Sequence, residues 1–207
     1  EVVSLIGESG VGKTTLSKIL GGFLEPDNGE ILFEGRDANF RKLHRTKGGL
    51  QMVFQDPTTS INPNMKVIDA VSEPLRLSYM AKDYMEEAKR VLKDVGLSCG
   101  GDILNSKVRH LSGGQKQKLA VARALIMEPK VLLADEPTSM LDSSSKANLL
   151  RLLKEIQNTR GFSMLIITHD IASAIKISDR IYLLCNESGI LEFRGEQMKE
   201  LGGRYGA

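Results

Sequence analysis

Short apolar runs alternate along the chain with stretches of helical periodicity, which is typical of a parallel sheet flanked by helices. Four of these runs are nearly continuous in valine, leucine and isoleucine, as expected for strands buried on both faces. They cover residues 2–6, 50–54, 131–134 and 164–168. Residues 29–35 alternate polar and apolar side chains and predict a strand with one solvated face. Residues 180–185 and 190–193 predict a terminal hairpin with its turn at 186–189.

The pattern changes between residues 60 and 127, where helical stretches follow one another without a strong strand. These stretches cover residues 67–77, 83–95 and 113–127. We interpret residues 60–127 as a helical subdomain inserted into an α/β core made of residues 1–59 and 128–207. The predicted fold is therefore α/β, with a mostly parallel sheet, an antiparallel β portion and an inserted helical subdomain.

A glycine-rich segment directly behind the first apolar run matches the G-x-x-x-x-G-K-S/T pattern of a phosphate-binding loop. The segment and the residue after it read Gly7, Glu8, Ser9, Gly10, Val11, Gly12, Lys13, Thr14 and Thr15. Residues 14–20 then predict a helix with Leu16, Ile19 and Leu20 on one face. A loop of this kind aims backbone N–H groups at a phosphate from a helix N-terminus. A chance glycine-rich turn would match all four specified positions in well under ~1% of chains of this size, so we predict nucleotide binding.

Two acidic residues, Asp135 and Glu136, follow the apolar run at 131–134. This places two carboxylates at the end of a buried strand, where open parallel sheets bind ligands. Taken alone, the segment fits an ordinary strand followed by an acidic helix start equally well. Beside a phosphate-binding loop, it predicts a magnesium-binding residue at Asp135, acting through water, and a water activator at Glu136.

A third segment opens the predicted helix at residues 113–127. It contains Ser112, Gly113, Gly114 and Gln115. Ser112 is a favourable N-cap, and the two glycines expose free N–H groups at the positive end of the helix dipole, which makes a second anion site. Such turns are common, so this segment is informative only in combination with the other two.

In this order and spacing, the three segments resemble the ATP-binding-cassette (ABC) family of P-loop ATPases over essentially the whole chain. Gln55, after the strand at 50–54, matches the family's glutamine loop, which links nucleotide state to the helical subdomain. Residues 139–142 match the loop that contacts the opposite subunit, and His169 matches the switch histidine. A lone histidine at a strand end is more often structural, but its place in this series favours a catalytic role.

The resemblance implies a head-to-tail dimer that binds two ATP molecules with Mg²⁺ between its subunits. It implies a catalytic set of Lys13, Gln55, Glu136 and His169. It implies that Thr14, Gln55 and Asp135 hold the metal. The phosphate-binding loop with Thr15 then acts in its own subunit, and residues 112–115 bind the γ-phosphate from the partner subunit.

The sequences of residues 53–63, 73–75 and 134–142 resemble those of the dipeptide/oligopeptide import subfamily. Nickel-import and phosphonate-utilisation cassettes share part of these sequences. The resemblance implies membrane permease subunits as partners, a solute-binding protein as an indirect partner, and a location on the cytoplasmic face of the plasma membrane. The sequence begins one strand before the phosphate-binding loop. We therefore expect the family's upstream strands, with their adenine-stacking residue, and the subfamily's C-terminal extension to be missing from it.

The composition and charge of the chain limit its possible partners, its cellular location and its class of function. The net charge is +2 and no dense basic block is present, so we expect no nucleic-acid partner. No apolar run approaches the ~20 residues of a membrane-spanning helix, and the two cysteines lack metal-ligand spacing, which favours reduced thiols in the cytoplasm. Two alternatives stay open: a soluble ABC ATPase of translation or DNA repair, and a nucleotide-binding regulator without turnover. Paired cassettes and basic arms, typical of the first, are not visible, and intact Glu136 and His169 argue against the second.

Overall fold

The computed structural model describes residues 1–78, 83–185, 189–198 and 200. The strands are β1 Val2–Gly7, β2 Leu32–Phe33, β3 Arg36–Asp37, β4 Leu50–Val53, β5 Val131–Asp135, β6 Ser163–Ile167, β7 Arg180–Cys185 and β8 Gly189–Arg194. The helices are α1 Lys13–Leu20, α2 Phe40–Leu43, α3 Val67–Leu77, α4 Tyr84–Asp94, α5 Gly101–Asn105, α6 Gly113–Leu125, α7 Ser143–Arg160 and α8 Ile171–Ile177. Short 3₁₀ turns lie at Pro57–Thr59 and Val108–His110.

Six strands form one sheet in the order β4-β5-β6-β1-β7-β8. The first five run parallel, and β8 pairs antiparallel with β7. The phosphate-binding-loop strand β1 lies between β6 and β7, so Val3 pairs with both Leu165 and Arg180. The predicted α/β fold with a mostly parallel sheet is confirmed. The predicted terminal hairpin is the β7–β8 pair, and most of its predicted turn, residues 186–188, lies outside the described residues.

Apolar side chains cover both faces of the sheet. On one face, a continuous cluster joins β5 and β6 to α3, α4, α6 and α7. On the other face, a smaller cluster packs α8 against β1 and β7 around Ile6, Ala174 and Ile181. Each fully buried leucine, such as Leu92 or Leu119, contributes about 1.5–3 kcal/mol by leaving water. The helices α3, α4 and α6 are therefore packed in the same core as the sheet.

The segment at residues 29–35 differs from its prediction. Only Leu32 and Phe33 form a strand, and they pair with β3 in a separate two-stranded ribbon. Glu34 (φ 52°) and Gly35 (φ 74°) both have positive φ, the conformation of a two-residue hairpin turn, and this turn ends the strand early. The prediction of a longer strand with one wet face was wrong.

The three helices predicted within residues 60–127 are present as α3, α4 and α6, and the short α5 was not predicted. Pro74 lies inside α3. The boundaries of the helical subdomain stay an interpretation, because α6 also packs against β4 of the sheet. None of the helices in the described residues combines the length and the apolar composition of a membrane-spanning segment.

The predicted apolar face of α1 is not its buried face. Leu16, Ile19 and Leu20 are only half-buried, whereas Lys13 and Ser17, one turn apart, are buried against the sheet. The helices α7 and α8 lie in segments for which the apolar pattern predicted no bounds. The signal for both was an aspartate N-cap: Asp142 accepts the N–H groups of Ser144 and Ser145, and Asp170 accepts that of Ser173.

Candidate functional site

The predicted site residues lie at the ends of four neighbouring strands, at one edge of the sheet. The phosphate-binding loop follows β1, Gln55 follows β4, Asp135 ends β5, and His169 follows β6. These four strands are adjacent and parallel in the order β4-β5-β6-β1. Their carboxyl ends therefore converge, which is where open α/β sheets bind ligands.

Glycines give the phosphate-binding loop its path. Gly10 (φ 86°) and Gly12 (φ 103°) lie in the left-handed region that favours glycine, and Gly12 is the N-cap of α1. Gly7 meets a different constraint, because a Cβ there would lie 2.6 Å from the carbonyl oxygen of Leu184 on β7. The loop can therefore turn sharply between strand and helix while staying close to the neighbouring strand.

The Lys13 side chain is held inside this loop. Its Nζ donates to the carbonyl oxygens of Gly7 and Glu8, each at 2.8 Å, and the residue is 9% exposed. This arrangement concentrates one positive charge where the loop N–H groups and the α1 N-terminus already favour an anion.

A cavity of about 600 Å³ lies over the loop and the strand ends. It is lined by Ser9, Gly10, Gly12, Lys13, Thr14, Thr15, Gln55, Asp135, Glu136, Ile167 and His169. The structure thus brings together most of the residues predicted for one subunit's site. Gly7, Glu8 and Val11 shape the loop without lining the cavity. Ile167, the last residue of β6, was not predicted, and its place two residues before His169 was the available signal.

Burial raises the pKa of Asp135, and the neighbouring Glu136 carboxylate raises it further, while the Ser17 hydroxyl and the amines of Lys18 and Lys13 act in the opposite direction. The Asp135 side chain thus carries its charge in a partly desolvated place, where a cation would be a favourable neighbour.

Glu136 and His169 contact each other across the cavity wall. His169 Nδ1 lies 2.8 Å from Glu136 Oε1, and the Glu136 side chain is 14% exposed. The backbone of Glu136 has φ 46°, which is uncommon for a non-glycine residue. Its N–H donates to the carbonyl oxygen of Ile167, and its carbonyl accepts the N–H of Ser139. These bonds hold the strained residue in place, as is frequent at functional sites.

The oxygen-bearing side chains of Thr14, Gln55 and Asp135 line the same cavity. The described residues contain no cluster of three or more histidine, cysteine or acidic side chains that could enclose a metal ion. A hydroxyl, an amide and one carboxylate are hard oxygen donors. Such a set fits Mg²⁺, which keeps several waters and takes one or two carboxylates together with substrate phosphates.

Residues 112–115 lie in a separate place. Ser112 Oγ accepts the N–H of Gln115, and Gln115 Oε1 accepts the N–H of Ser112, a capping box at the start of α6. Ser112, Gly114 and Gln115 line a second cavity of about 470 Å³, together with residues such as Leu141 and Asn148. This cavity shares no lining residue with the phosphate-loop cavity. Gly113 is not among its lining residues.

A third cavity, of about 270 Å³, opens between the sheet and the helices α3 and α6. Its apolar lining includes Phe23, Phe54, Pro74 and Leu77, and its polar lining includes Arg123. Phe23 is 53% exposed and Leu77 is 62% exposed. Phe54 directly precedes Gln55, so this groove and the phosphate-loop cavity are joined by one peptide unit. The sequence analysis did not predict this groove.

Comparison with known proteins agrees with this geometry. A family model described as "ABC transporter" matches residues 1–139, more than half of the chain. The oligopeptide transport ATP-binding protein OppF of Haemophilus influenzae is 38% identical over 190 residues, covering 89% of this chain and 57% of OppF. The spermidine/putrescine import ATP-binding protein PotA of Borreliella afzelii is 42% identical over 193 residues, covering 93% of this chain and 53% of PotA. The chain thus spans little more than half the length of these relatives.

A solved structure shows the same fold. The dimeric ATP-binding cassette MJ0796, in a post-hydrolysis state bound to ADP and Pi, superposes with a TM-score of 0.80 at 32% identity, covering 94% of this chain and 86% of MJ0796. The family model that matches residues 1–139 and the 38% identity to OppF show that this chain belongs to the ABC transporter family.

Proposed function

We propose that this chain is the ATP-hydrolysing, nucleotide-binding part of an ABC importer. The observation that carries the proposal is the convergence of the phosphate-binding loop, Asp135, Glu136 and His169 on one cavity. The MJ0796 cassette, with its bound ADP and Pi, supports the assignment of ATP as the ligand.

Within this cavity, each side chain has a distinct task. Lys13 exchanges its two carbonyl acceptors for phosphate oxygens and neutralises the charge of the β- and γ-phosphates. Glu136 orients and polarises the attacking water, because one of its carboxylate oxygens faces His169 and the other accepts no hydrogen bond from the described residues and can take a proton from water. His169 lines the cavity and stabilises the γ-phosphate as charge develops there.

Thr14, Gln55 and Asp135 are the residues that would hold Mg²⁺. When bound, the ion would neutralise charge on the β- and γ-phosphate oxygens. The roles of the three residues differ by chemistry. The Thr14 hydroxyl and the Gln55 amide are neutral donors, whereas Asp135 is the only carboxylate among the three.

The separate position of residues 112–115 supports a dimeric site. The capping box satisfies only two donors of the α6 N-terminus, so further N–H groups at Gly113 and Gly114 stay available for an anion. Because the cavity lined by Ser112, Gly114 and Gln115 shares no lining residue with the phosphate-loop cavity, we propose that residues 112–115 bind the γ-phosphate of ATP held by a second subunit. The MJ0796 cassette is a dimer, which fits this arrangement.

The third cavity is the proposed docking groove for a membrane permease. It is open, its lining is more apolar than polar, and the exposed Phe23 and Leu77 side chains lie at it, which suits a partner helix. Through Phe54 and Gln55, movement at the nucleotide reaches this groove directly. The protein would accordingly work at the cytoplasmic face of the membrane through its permease, with a solute-binding protein as an indirect partner.

The proposed cargo is a dipeptide or oligopeptide. This assignment is supported by the similarity to OppF and by the sequence of residues 53–63. A polyamine is the second candidate, since PotA is 42% identical to this chain. In most importers of this kind the permease and the solute-binding protein select the cargo, so the two candidates predict the same ATP chemistry here.

The test is transport in reconstituted vesicles that contain the full-length protein, its permease and its solute-binding protein. We expect uptake of a labelled oligopeptide that requires ATP and is lost in a Glu136→Gln variant. Uptake of labelled spermidine alone would replace the peptide assignment with the polyamine one. Two results would contradict the importer proposal. One is that the full-length protein purifies without any permease, and the other is that Glu136→Gln leaves ATP hydrolysis unchanged.

A further inference from the structure

Pro74 interrupts the backbone hydrogen bonding of α3. It lies inside this helix and has no N–H, so it cannot donate to the carbonyl oxygen of Ala70, four residues earlier. Ala70 is completely buried, so solvent does not replace the missing donor. A buried carbonyl without a partner destabilises a fold. At this point α3 therefore needs a donor from another element.

The guanidinium of Arg123, on α6, supplies that donor. Its Nη1 donates to the carbonyl oxygen of Ala70 at 2.7 Å. Its Nη2 forms an ion pair with Glu73, the residue directly before Pro74. The planar fork of an arginine reaches two acceptors at once. Arg123 therefore clamps α3 to α6 at the turn where the bonding of α3 is interrupted.

This clamp lies at the third cavity, the proposed docking groove. Pro74 and Leu77 line the groove from α3, and Arg123 lines it from α6. The two helices thus form adjoining walls of the groove, and the Arg123 side chain joins one wall to the other. Losing the clamp would loosen the α3 wall against α6 and change the width of the groove.

We propose that Arg123 is a positioning residue for permease docking. By bonding to Ala70 and Glu73 it holds the interrupted helix α3 against α6, at the spacing that a permease helix enters. The inference rests on the proposed function, which assigns this groove to the permease. The effect of Arg123 on docking is separable from its effect on stability, because a donor placed within α3 would satisfy Ala70 without joining the two helices.

The experiment uses Pro74→Ala to separate the two effects. This substitution gives position 74 an N–H that can donate to Ala70 within α3, while the link to α6 still depends on Arg123. Arg123→Met, which keeps an unbranched apolar side chain, is made in the parent chain and in the Pro74→Ala chain. For each full-length variant we would measure thermal unfolding and the affinity for its detergent-solubilised permease subunits.

Arg160 provides a matched control. Its Nη1 donates to the carbonyl oxygen of Leu125 at 3.1 Å and its Nη2 pairs with Asp94, so it bonds a helix carbonyl and a carboxylate as Arg123 does. Arg160 does not line the third cavity. Arg160→Met therefore removes a similar clamp at a different place, and Leu77→Glu tests the groove itself.

We expect Arg123→Met to lower the midpoint temperature of unfolding by about 3–6 °C in the parent chain, the size of one charge-assisted hydrogen bond. The loss should be clearly smaller in the Pro74→Ala chain, because the two changes act on the same carbonyl. Permease affinity should nevertheless fall about tenfold in both chains. Arg160→Met should lower the midpoint temperature but leave permease affinity within about twofold of the parent.

If Arg123→Met does not weaken permease binding in the Pro74→Ala chain while Leu77→Glu does weaken it in the parent, the inference is overturned and the proposed docking groove stands. An equal loss of permease affinity in Arg160→Met would also overturn the inference, since general destabilisation would then explain the effect. Parent-like permease binding by Leu77→Glu would overturn both the inference and the docking groove.

Discussion

His169 Nδ1 lies 2.8 Å from Oε1 of Glu136, although the two residues are 33 positions apart in the chain. The contact exists because β5 and β6 are neighbours in the sheet and both end at this edge. The Glu136 side chain is largely shielded and His169 is 64% exposed, so the pair presents one inner carboxylate and one outer ring to the cavity.

Replacing Glu136 by glutamine should abolish turnover while leaving ATP binding intact. The amide keeps the size of the side chain and its contact with His169 but cannot accept a proton from water. We expect hydrolysis to fall about 10²–10⁴-fold, as on loss of a general base. Gel filtration with ATP should then show a trapped dimer, and near-normal hydrolysis would contradict the assignment of Glu136.

Replacing Lys13 by alanine should weaken nucleotide binding itself. The change removes the cation inside the phosphate-binding loop and also the two hydrogen bonds that it donates to loop carbonyls. We expect at least a tenfold loss of affinity, measured with a fluorescent ATP analogue, the size of one or more charge-assisted bonds.

Lys42→Ala is the control for this measurement, because Lys42 is exposed on α2 and does not line the cavity. If Lys13→Ala binds the ATP analogue as tightly as the unmodified chain does, the proposed role of Lys13 in binding phosphate is wrong.

Ser112→Arg should leave ATP binding to the single chain almost unchanged but prevent efficient hydrolysis and dimer formation. Ser112 lies outside the phosphate-loop cavity, so the new side chain should block the surface that we propose faces a second subunit and leave the phosphate-loop cavity open. ATPase assays and gel filtration with ATP measure the two effects.

Mixing Ser112→Arg chains with Lys13→Ala chains sharpens the test. If the site is shared between subunits, a mixed dimer has one doubly impaired site and one intact site, and part of the activity returns. Activity no higher than that of the separate variants, with mixed dimers confirmed by cross-linking, would refute the shared site.

Asp179→Asn should reduce stability in a pH-dependent way. Burial opposes the shift, but the Val2 N–H and the Lys154 amine together lower the pKa of Asp179 below its ordinary value of 3.8. A carboxyl whose pKa is lowered on folding stabilises the protein above its unfolded-state pKa and loses that effect as pH falls through the folded-state pKa. The variant should therefore unfold at a lower temperature at pH 7, and the difference should shrink below pH ~3.8.

Thermal unfolding between pH 3 and pH 7 measures this difference. We expect about 2–4 °C at pH 7, since half of the Asp179 side chain is solvent-exposed and the ion pair with Lys154 is correspondingly weak. Asp37→Asn, on exposed β3, is the control. An equal difference at both ends of the pH range would show that the charge of Asp179 is not the cause.

The sequence by itself determined the strands β1, β4, β5 and β6, because strands buried on both faces must be apolar almost throughout. It also determined the phosphate-binding loop and the paired acids, since loop geometry and metal chemistry admit few residue types. It could not fix the extent of the strand near Phe33, where the backbone conformation of Glu34, a residue without turn preference of its own, ends the pairing.

Only the tertiary structure decided which residues of these segments meet. The order β4-β5-β6-β1 brings Gln55, Glu136 and His169 to one cavity, and strand order depends on how the helices pack, which no local pattern records. The same packing buries Ser17 and leaves Leu16 half-exposed, the reverse of what helical periodicity predicts. Apolar periodicity reports which face could be buried, whereas the neighbouring elements decide which face is buried.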